Sequence, residues 1–192
     1  ILREYDIRGI VDETLSAADV EAIARGFGAM LRDAGGASVA LGYDGRLHSP
    51  ELEAAAAAGL MAAGLKVVRS GCGPSPMLYF AAHHFATDAG MMITGSHNPP
   101  EYNGIKMTFQ NRAFFGDDIQ TLGRRVAAGD FIDGDGQSEQ HDILKEYVAR
   151  VAADYAGARP LKVAWDPGNG AAGDAVQALV ALLPGEHVLI NE

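Results

Sequence analysis

Apolar residues along this chain recur with two alternating periods. From Ser16 onward, Val20, Ile23, Ala24, Phe27, Met30 and Leu31 return every three or four positions, which predicts an amphipathic helix. Ser16 and Asp19 have capping-box spacing at its start, and Gly35 stands where a left-handed residue would stop it. Val39 to Leu41 reads as a buried strand running into the turn Gly42-Tyr43-Asp44-Gly45-Arg46. Ser49-Pro50-Glu51 opens a second helix with proline at its first position. Its alanine-rich body, Leu52 to Ala63, is apolar nearly all round and is expected to be buried, and Gly64 closes it. Val67-Val68 is a further strand, Gly71 to Pro76 a stiff loop, Met77 to Phe85 a helix, and Gly90 to Ile93 another strand.

Beyond that strand come a proline-rich loop, a strand over Ile105 to Phe109, and the turn of a hairpin at Gln110-Asn111-Arg112. Asp117 and Asp118 open the next helix, where negative charge suits the helix dipole, and it ends near Gly129. The stretch Phe131 to Gln137 reads as a flexible polar linker, and Asp142 to Tyr155 as an amphipathic helix. Leu161 to Trp165, Ala171 to Leu183 and His187 to Ile190 form a strand, helix and strand, with the glycine-rich turn Asp166-Pro167-Gly168-Asn169-Gly170 after the first. That turn lacks both the lysine and serine of a P-loop and the G-x-G-x-x-G spacing, so it reads as structural. Residues 1 to 11 form an extended segment with a turn at Gly9.

This order predicts an α/β fold with a mixed, mainly parallel sheet sandwiched by helices, followed by an incomplete second α/β domain. The expected domains are 1–140, a connecting helix over 141–158, and the start of domain two over 159–192. A strand, helix and strand cannot cover both faces of their own sheet. The chain is therefore expected to be the N-terminal portion of a longer protein, its second domain truncated, and Ile1 in place of an initiating methionine is expected of a trimmed product.

Composition changes this picture little. The 192 residues are 48% hydrophobic and 21% charged, as in ordinary globular proteins. A formal charge of −10 argues against nucleic acid as a partner, because such binders need a basic stripe, but a local Arg and Lys cluster could still hold a small phosphate. No apolar run approaches the roughly 18 residues that suggest a membrane span. The single cysteine, Cys72, excludes an intrachain disulfide and a cysteine zinc cage and fits a reducing cytoplasm; it reads as a packing residue. His83 and His84 are adjacent, and neighbours on a helix point in different directions, so they read as packing rather than as a zinc pair.

The chemistry gathers at Thr94-Gly95-Ser96-His97-Asn98-Pro99-Pro100. The prolines push the residues before them out of the α region, so Ser96 is expected on a rigid loop outside the carboxyl end of a strand, where open α/β sheets bind ligands. A hydroxyl with an imidazole beside it, His97, and Lys106 ten residues on suggest a nucleophile with charge-stabilising groups. The loop is not the G-x-S-x-G elbow of hydrolases, because Asn98 and two prolines replace its second glycine. In isolation it reads first as a proline-stiffened turn with an incidental serine. Asp44 and Arg46 read first as a mutual pair or helix cap, and second as support for the serine loop.

The run Thr94 to Pro99 followed by Glu101-Tyr102-Asn103-Gly104-Ile105-Lys106 resembles the phosphoserine loop of the α-D-phosphohexomutases, bacterial phosphomannomutase/phosphoglucomutase branch. Arg3-Glu4-Tyr5-Asp6-Ile7-Arg8-Gly9 is similar to the family's N-terminal signature, and Gly42 to Arg46 with Ser49-Pro50, and Gly73-Pro74-Ser75-Pro76, fit two further blocks. The resemblance implies a mutase that interconverts hexose 1-phosphate and hexose 6-phosphate, of mannose or glucose, through a phosphoserine and a bisphosphate intermediate. It casts Ser96 as carrier, His97 as a proton-handling neighbour, Arg8 and Lys106 as clamps on phosphate, and Tyr5 as a lining residue.

It also implies hexose 1,6-bisphosphate as activator and one Mg²⁺, for which phosphorylated Ser96 is the ligand in this chain. The family's aspartates for that metal are expected further along. Asp133-Gly134-Asp135-Gly136 is not that loop, because Gln137-Ser138 stands where a third aspartate and an arginine would follow. The remaining domains are the implied partners, and these residues alone are expected to be inactive. Two alternatives remain, a non-catalytic sugar-phosphate binding module and a serine hydrolase using His141 or His187 as a remote base.

Overall fold

The computed structural model describes residues 1–110, 112–157 and 159–192. Fifteen elements follow in chain order: β1 (Ile7–Ile10), α1 (Ala17–Asp33), β2 (Ser38–Tyr43), α2 (Ser49–Ala62), β3 (Lys66–Cys72), α3 (Ser75–His84), β4 (Ala89–Ile93), β5 (Tyr102–Phe109), β6 (Arg112–Ala113), α4 (Asp117–Ala127), β7 (Gln137–Gln140), α5 (Leu144–Ala153), β8 (Leu161–Trp165), α6 (Gly173–Val180) and β9 (Gly185–Leu189), counted among the described residues.

Local signals account for many of the boundaries. Ser16 caps α1 by accepting the Asp19 N–H, and its own N–H and hydroxyl donate to the Asp19 carboxylate and hold that carboxyl below its usual pKa. Gly35, at φ 83°, follows the C-cap Ala34 and returns its N–H to Arg32. The second helix starts at Ser49 with proline at its first turn, and its Gly59 lies against the α1 backbone at Glu21, where a Cβ would not fit. Inside α2, Glu53 is fully buried, and Arg69 of β3 forms a two-pronged ion pair with it. Such a pair makes the buried charge tolerable.

The main sheet runs β1-β5-β4-β2-β3-β7, with β6 paired to β5. The strands β4, β2, β3 and β7 are mutually parallel, whereas β5 runs antiparallel to both β4 and β1. Only β5, among the described strands of this sheet, therefore opposes the rest. Alternate residues feed opposite layers. Val39, Leu41 and Met91 join the core beneath α1, α2 and α4, while Ala40 and Met92 face α3 and the start of α5. The expected sandwich of helices on a mixed sheet is what forms.

The stretch expected to be a flexible linker is anchored instead. Gly134 and Gly136 donate to the carbonyls of Ala62 and Met61 at the end of α2, and β7 then adds to β3 as an edge strand. A Cβ at either glycine would strike the backbone at Gly64 or Leu65. The glycines of this Asp-Gly-Asp-Gly run thus serve close chain approach. In the expected hairpin turn, Asn111 lies outside the described residues; Gln110 before it is left-handed at φ 47°, and Phe109 pairs with Arg112 across it. Ala158, at the end of the expected connecting segment, also lies outside them. The last unit is a two-stranded parallel sheet, β8 with β9, with α6 packed on α5. None of the described helices is long and apolar enough to cross a membrane.

Candidate active site

Parallel strands β2 and β4 lie side by side with Tyr43 opposite Ile93, so their carboxyl ends deliver two loops to one place. From β4 comes the serine loop, and from β2 the turn holding Asp44 and Arg46. The serine loop is non-helical, as its prolines require. Ser96 takes the left-handed conformation at φ 53°, which costs a side-chain-bearing residue about 1–2 kcal/mol. Local bonds hold it there: Thr94 Oγ1 accepts the Ser96 N–H at 2.9 Å, and Asn98 caps Gly95 O at 3.0 Å. The result is an exposed hydroxyl whose Oγ lies 3.2 Å from Nδ1 of the exposed His97.

On one flank, the antiparallel pairing of β1 with β5 sets Arg8 opposite Gly104, which brings Arg8 and Lys106 to the same edge of the loop. Arg8 is only 7% exposed, and its Nη1 donates to Thr94 O at 2.9 Å. Asp6 takes the other Arg8 nitrogen and also Lys106 Nζ at 3.2 Å. Burial pushes the Asp6 carboxyl up, but hydrogen bonds and charge from Arg8 and Lys106 outweigh it and hold the pKa below the usual carboxylate value. These groups, with Arg3, Ser96 and His97, line a cleft of about 450 Å³. It presents one nucleophilic hydroxyl, one imidazole and three cations, which suits a phosphate ester.

On the other flank, Asp44 and Arg46 grip the loop backbone. Asp44 accepts the Gly95 N–H at 2.8 Å and the Ser49 hydroxyl at 2.6 Å, and Ser49 in turn accepts Asn103 Nδ2 at 2.9 Å. The Arg46 fork donates to the carbonyls of Ser96, Asn98, Pro99 and Tyr102. The mutual pair expected for Asp44 and Arg46 exists at 3.6 Å, but loop support is the larger part of what both do.

Ser96, His97, Arg8 and Lys106 therefore converge. Tyr5 does not enter their cleft: it is 70% exposed, sits 6.2 Å from the Phe115 ring, and lines a neighbouring cleft of about 410 Å³ that shares Lys106. The two remote imidazoles are engaged elsewhere, His141 against the Phe85 ring at 4.6 Å and His187 accepting from Trp165 Nε1 at 3.0 Å. Asp6, Ser49 and Asn103 were missed as site residues, and Asp44 was read only second as a support of the loop. One signal was present, the twice-used Asp-x-Arg spacing of Asp6 with Arg8 and Asp44 with Arg46. As for a metal, no cluster of three or more His, Cys, Asp or Glu suited to one occurs among the described residues. Asp6 is committed to Arg8 and Lys106, and Asp44 to the Gly95 N–H and the Ser49 hydroxyl.

A family model described as phosphoglucomutase/phosphomannomutase, alpha/beta/alpha domain I, matches residues 1–133. A phosphomannomutase/phosphoglucomutase of Pseudomonas aeruginosa is 42% identical over 183 residues, covering 95% of this chain and 40% of the relative. A phosphoglucomutase of Neisseria meningitidis serogroup A is 41% identical over 175 residues, covering 90% of this chain and 38% of the relative. The crystal structure of a phosphoglucomutase/phosphomannomutase family protein from Burkholderia thailandensis has a TM-score of 0.93 at 42% identity, covering 98% of this chain and 43% of that one. The chain thus spans about two-fifths of the length of the relatives it matches.

Proposed function

The chain belongs to the phosphoglucomutase/phosphomannomutase family, and we propose that it carries the phosphoryl-transferring serine of a hexose-phosphate mutase. The observation that carries this reading is the Ser96 hydroxyl held 3.2 Å from His97 on a rigid loop beside Arg8 and Lys106. In the proposed cycle, phosphorylated Ser96 gives its phosphoryl group to a free hydroxyl of a hexose monophosphate. The P–Oγ bond breaks, a bond from phosphorus to the sugar oxygen forms, and the sugar hydroxyl loses its proton. The bisphosphate turns over, its other phosphoryl group returns to Ser96 Oγ, and the second sugar oxygen takes a proton.

Catalysis of this kind depends on positioning and on cations that offset the moving charge. Arg8 and Lys106 supply those cations in this chain. His97, beside Oγ, would hold the proton while Ser96 is unphosphorylated. Phosphorylated Ser96 would be the one ligand contributed here to a magnesium ion, which supplies further charge neutralisation when bound. The rest of that ion's ligands, the later domains and the choice between mannose and glucose belong to sequence outside these residues. Tyr5 would contact the sugar only from the adjoining cleft. The division into domain one over 1–140, a connecting helix and the start of a second domain is part of the same proposal. The single Cys72, exposed and free, supports a cytoplasmic setting.

The test is an intact mass and peptide map of the full-length protein after incubation with magnesium and a hexose 1,6-bisphosphate. One phosphoryl group on the peptide containing Ser96 is expected, and Ser96→Ala is expected to lose both that label and mutase turnover. An unlabelled Ser96 peptide, or an S96A protein that still turns over, would sink the mutase; sugar-phosphate binding retained without turnover would point to the binding module.

A further inference from the structure

Arg46 points at the serine loop, yet four of its five donors are already occupied. A guanidinium has five N–H donors. Nη1 bonds Pro99 O at 2.6 Å and Tyr102 O at 3.0 Å, Nη2 bonds Ser96 O at 3.1 Å and Asn98 O, and Nε faces Asp44 Oδ2 at 3.6 Å. Four of the five donors are thus spent on the loop, and the fifth is turned toward a carboxylate rather than offered to a phosphate. Asp44 complements the fork by taking the N–H just ahead of Ser96, on Gly95, at 2.8 Å. The pair thereby fixes the backbone immediately before and after a serine that is held in a left-handed conformation. Gly95 permits this arrangement, since a Cβ there would run into the Arg46 guanidinium. Asp44 is itself braced by Ser49, and Ser49 by Asn103 of β5.

We propose that Arg46, oriented by Asp44, is a positioning residue for phosphoryl transfer. It holds the loop from the side opposite Arg8 so that Ser96 Oγ keeps one location through both halves of the cycle. The sugar turns over between the two transfers, so Ser96 Oγ is the reference point for both, and a misplacement of about 1 Å can cost 100-fold in rate. Phosphorylation also places about −1.5 to −2 charges on an exposed loop, which pulls it toward Arg8 and Lys106. A fork on four carbonyls resists that pull without itself binding the phosphate. The kinetic consequence rests on the mutase reading; the grip on the loop does not.

The experiment uses the full-length protein and two variants, Arg46→Lys, which keeps the charge but cannot span four carbonyls, and Asp44→Asn, which keeps the volume. Amide hydrogen exchange over residues 94–102 is expected to speed up at least about tenfold in both. The kcat for glucose 1-phosphate or mannose 1-phosphate is expected to fall about 100-fold, with KM within about threefold of wild type. If R46K does not fold, D44N gives the same two readings. Unchanged exchange in these variants, or unchanged kcat, alongside a wild type phosphorylated on Ser96 overturns this inference alone. A raised KM with unchanged kcat also overturns it, by putting Arg46 on the substrate. A wild type that never carries phosphate on Ser96 instead brings down the mutase reading.

Discussion

The two flanks of the serine loop are built from the same short pattern and do different work. On each, an arginine follows an aspartate by two residues, Asp6 with Arg8 at the edge strand β1 and Asp44 with Arg46 after the central strand β2. Arg46 spends its fork on four carbonyls of the loop and faces its aspartate only through Nε. Arg8 gives one nitrogen to Thr94 O and another to Asp6, and Asp6 also holds Lys106 in the cleft that Ser96 lines. A carboxylate shared by two cations can be displaced by a phosphate that offers more charge and more acceptors. Four backbone carbonyls cannot be. The acceptors within reach, rather than the residue type, separate a group that can bind an anion from one that can only hold a loop.

Arg8→Ala is the harshest way to break this contrast. Removing a donor aimed at moving charge is expected to lower kcat by about 100- to 1,000-fold and, because the same donor holds bound phosphate, to raise KM as well. Steady-state kinetics in parallel with R46K would show the split; a variant R8A that altered kcat alone would make the two flanks equivalent. Ser49→Ala should act on the other flank through stability. It leaves Asn103 Nδ2 without its acceptor and removes one of the donors to Asp44, for an expected loss of about 1–3 kcal/mol by denaturant unfolding.

Asp6→Asn is expected to have the smallest effect, about 1–2 kcal/mol at neutral pH, and a pH dependence that identifies it. The folded-state pKa of Asp6 is depressed, so its contribution is complete above the unfolded carboxyl pKa of about 3.9 and is lost as pH falls through the lower folded value. The stability difference between wild type and D6N should therefore be flat at neutral pH and close in the acid range. A difference that instead grew on acidification would show that Asp6 is not the charged partner of Arg8 and Lys106. With the anion gone, D6N should also bind inorganic phosphate more tightly than wild type.

Most of the secondary structure was legible because its causes are local. The period of apolar residues, the Ser16 and Asp19 cap, the left-handed Gly35 and the prolines after Ser96 act over a few residues each, and the elements formed where those signals lay. The flexible reading of 131–137 failed because glycine signals freedom only when nothing packs on it. At Gly134 and Gly136 it signals the reverse, since the partner backbone lies about 70 residues earlier, across α2. The same reason hid the second flank of the site. Arg46 reaches acceptors 50 to 56 residues along the chain, and Asp6 reaches Lys106 across 100 residues. Sequence alone determined the elements, the exposed serine loop and the family to which it is similar, because periodicity, caps and motifs are properties of neighbouring residues. Tertiary structure alone decided that β5 runs against the other strands and that β2 lies beside β4. That arrangement set Arg8 and Lys106 on one side of Ser96 and Arg46 on the other, because no local signal records which distant backbone carbonyls a side chain will meet.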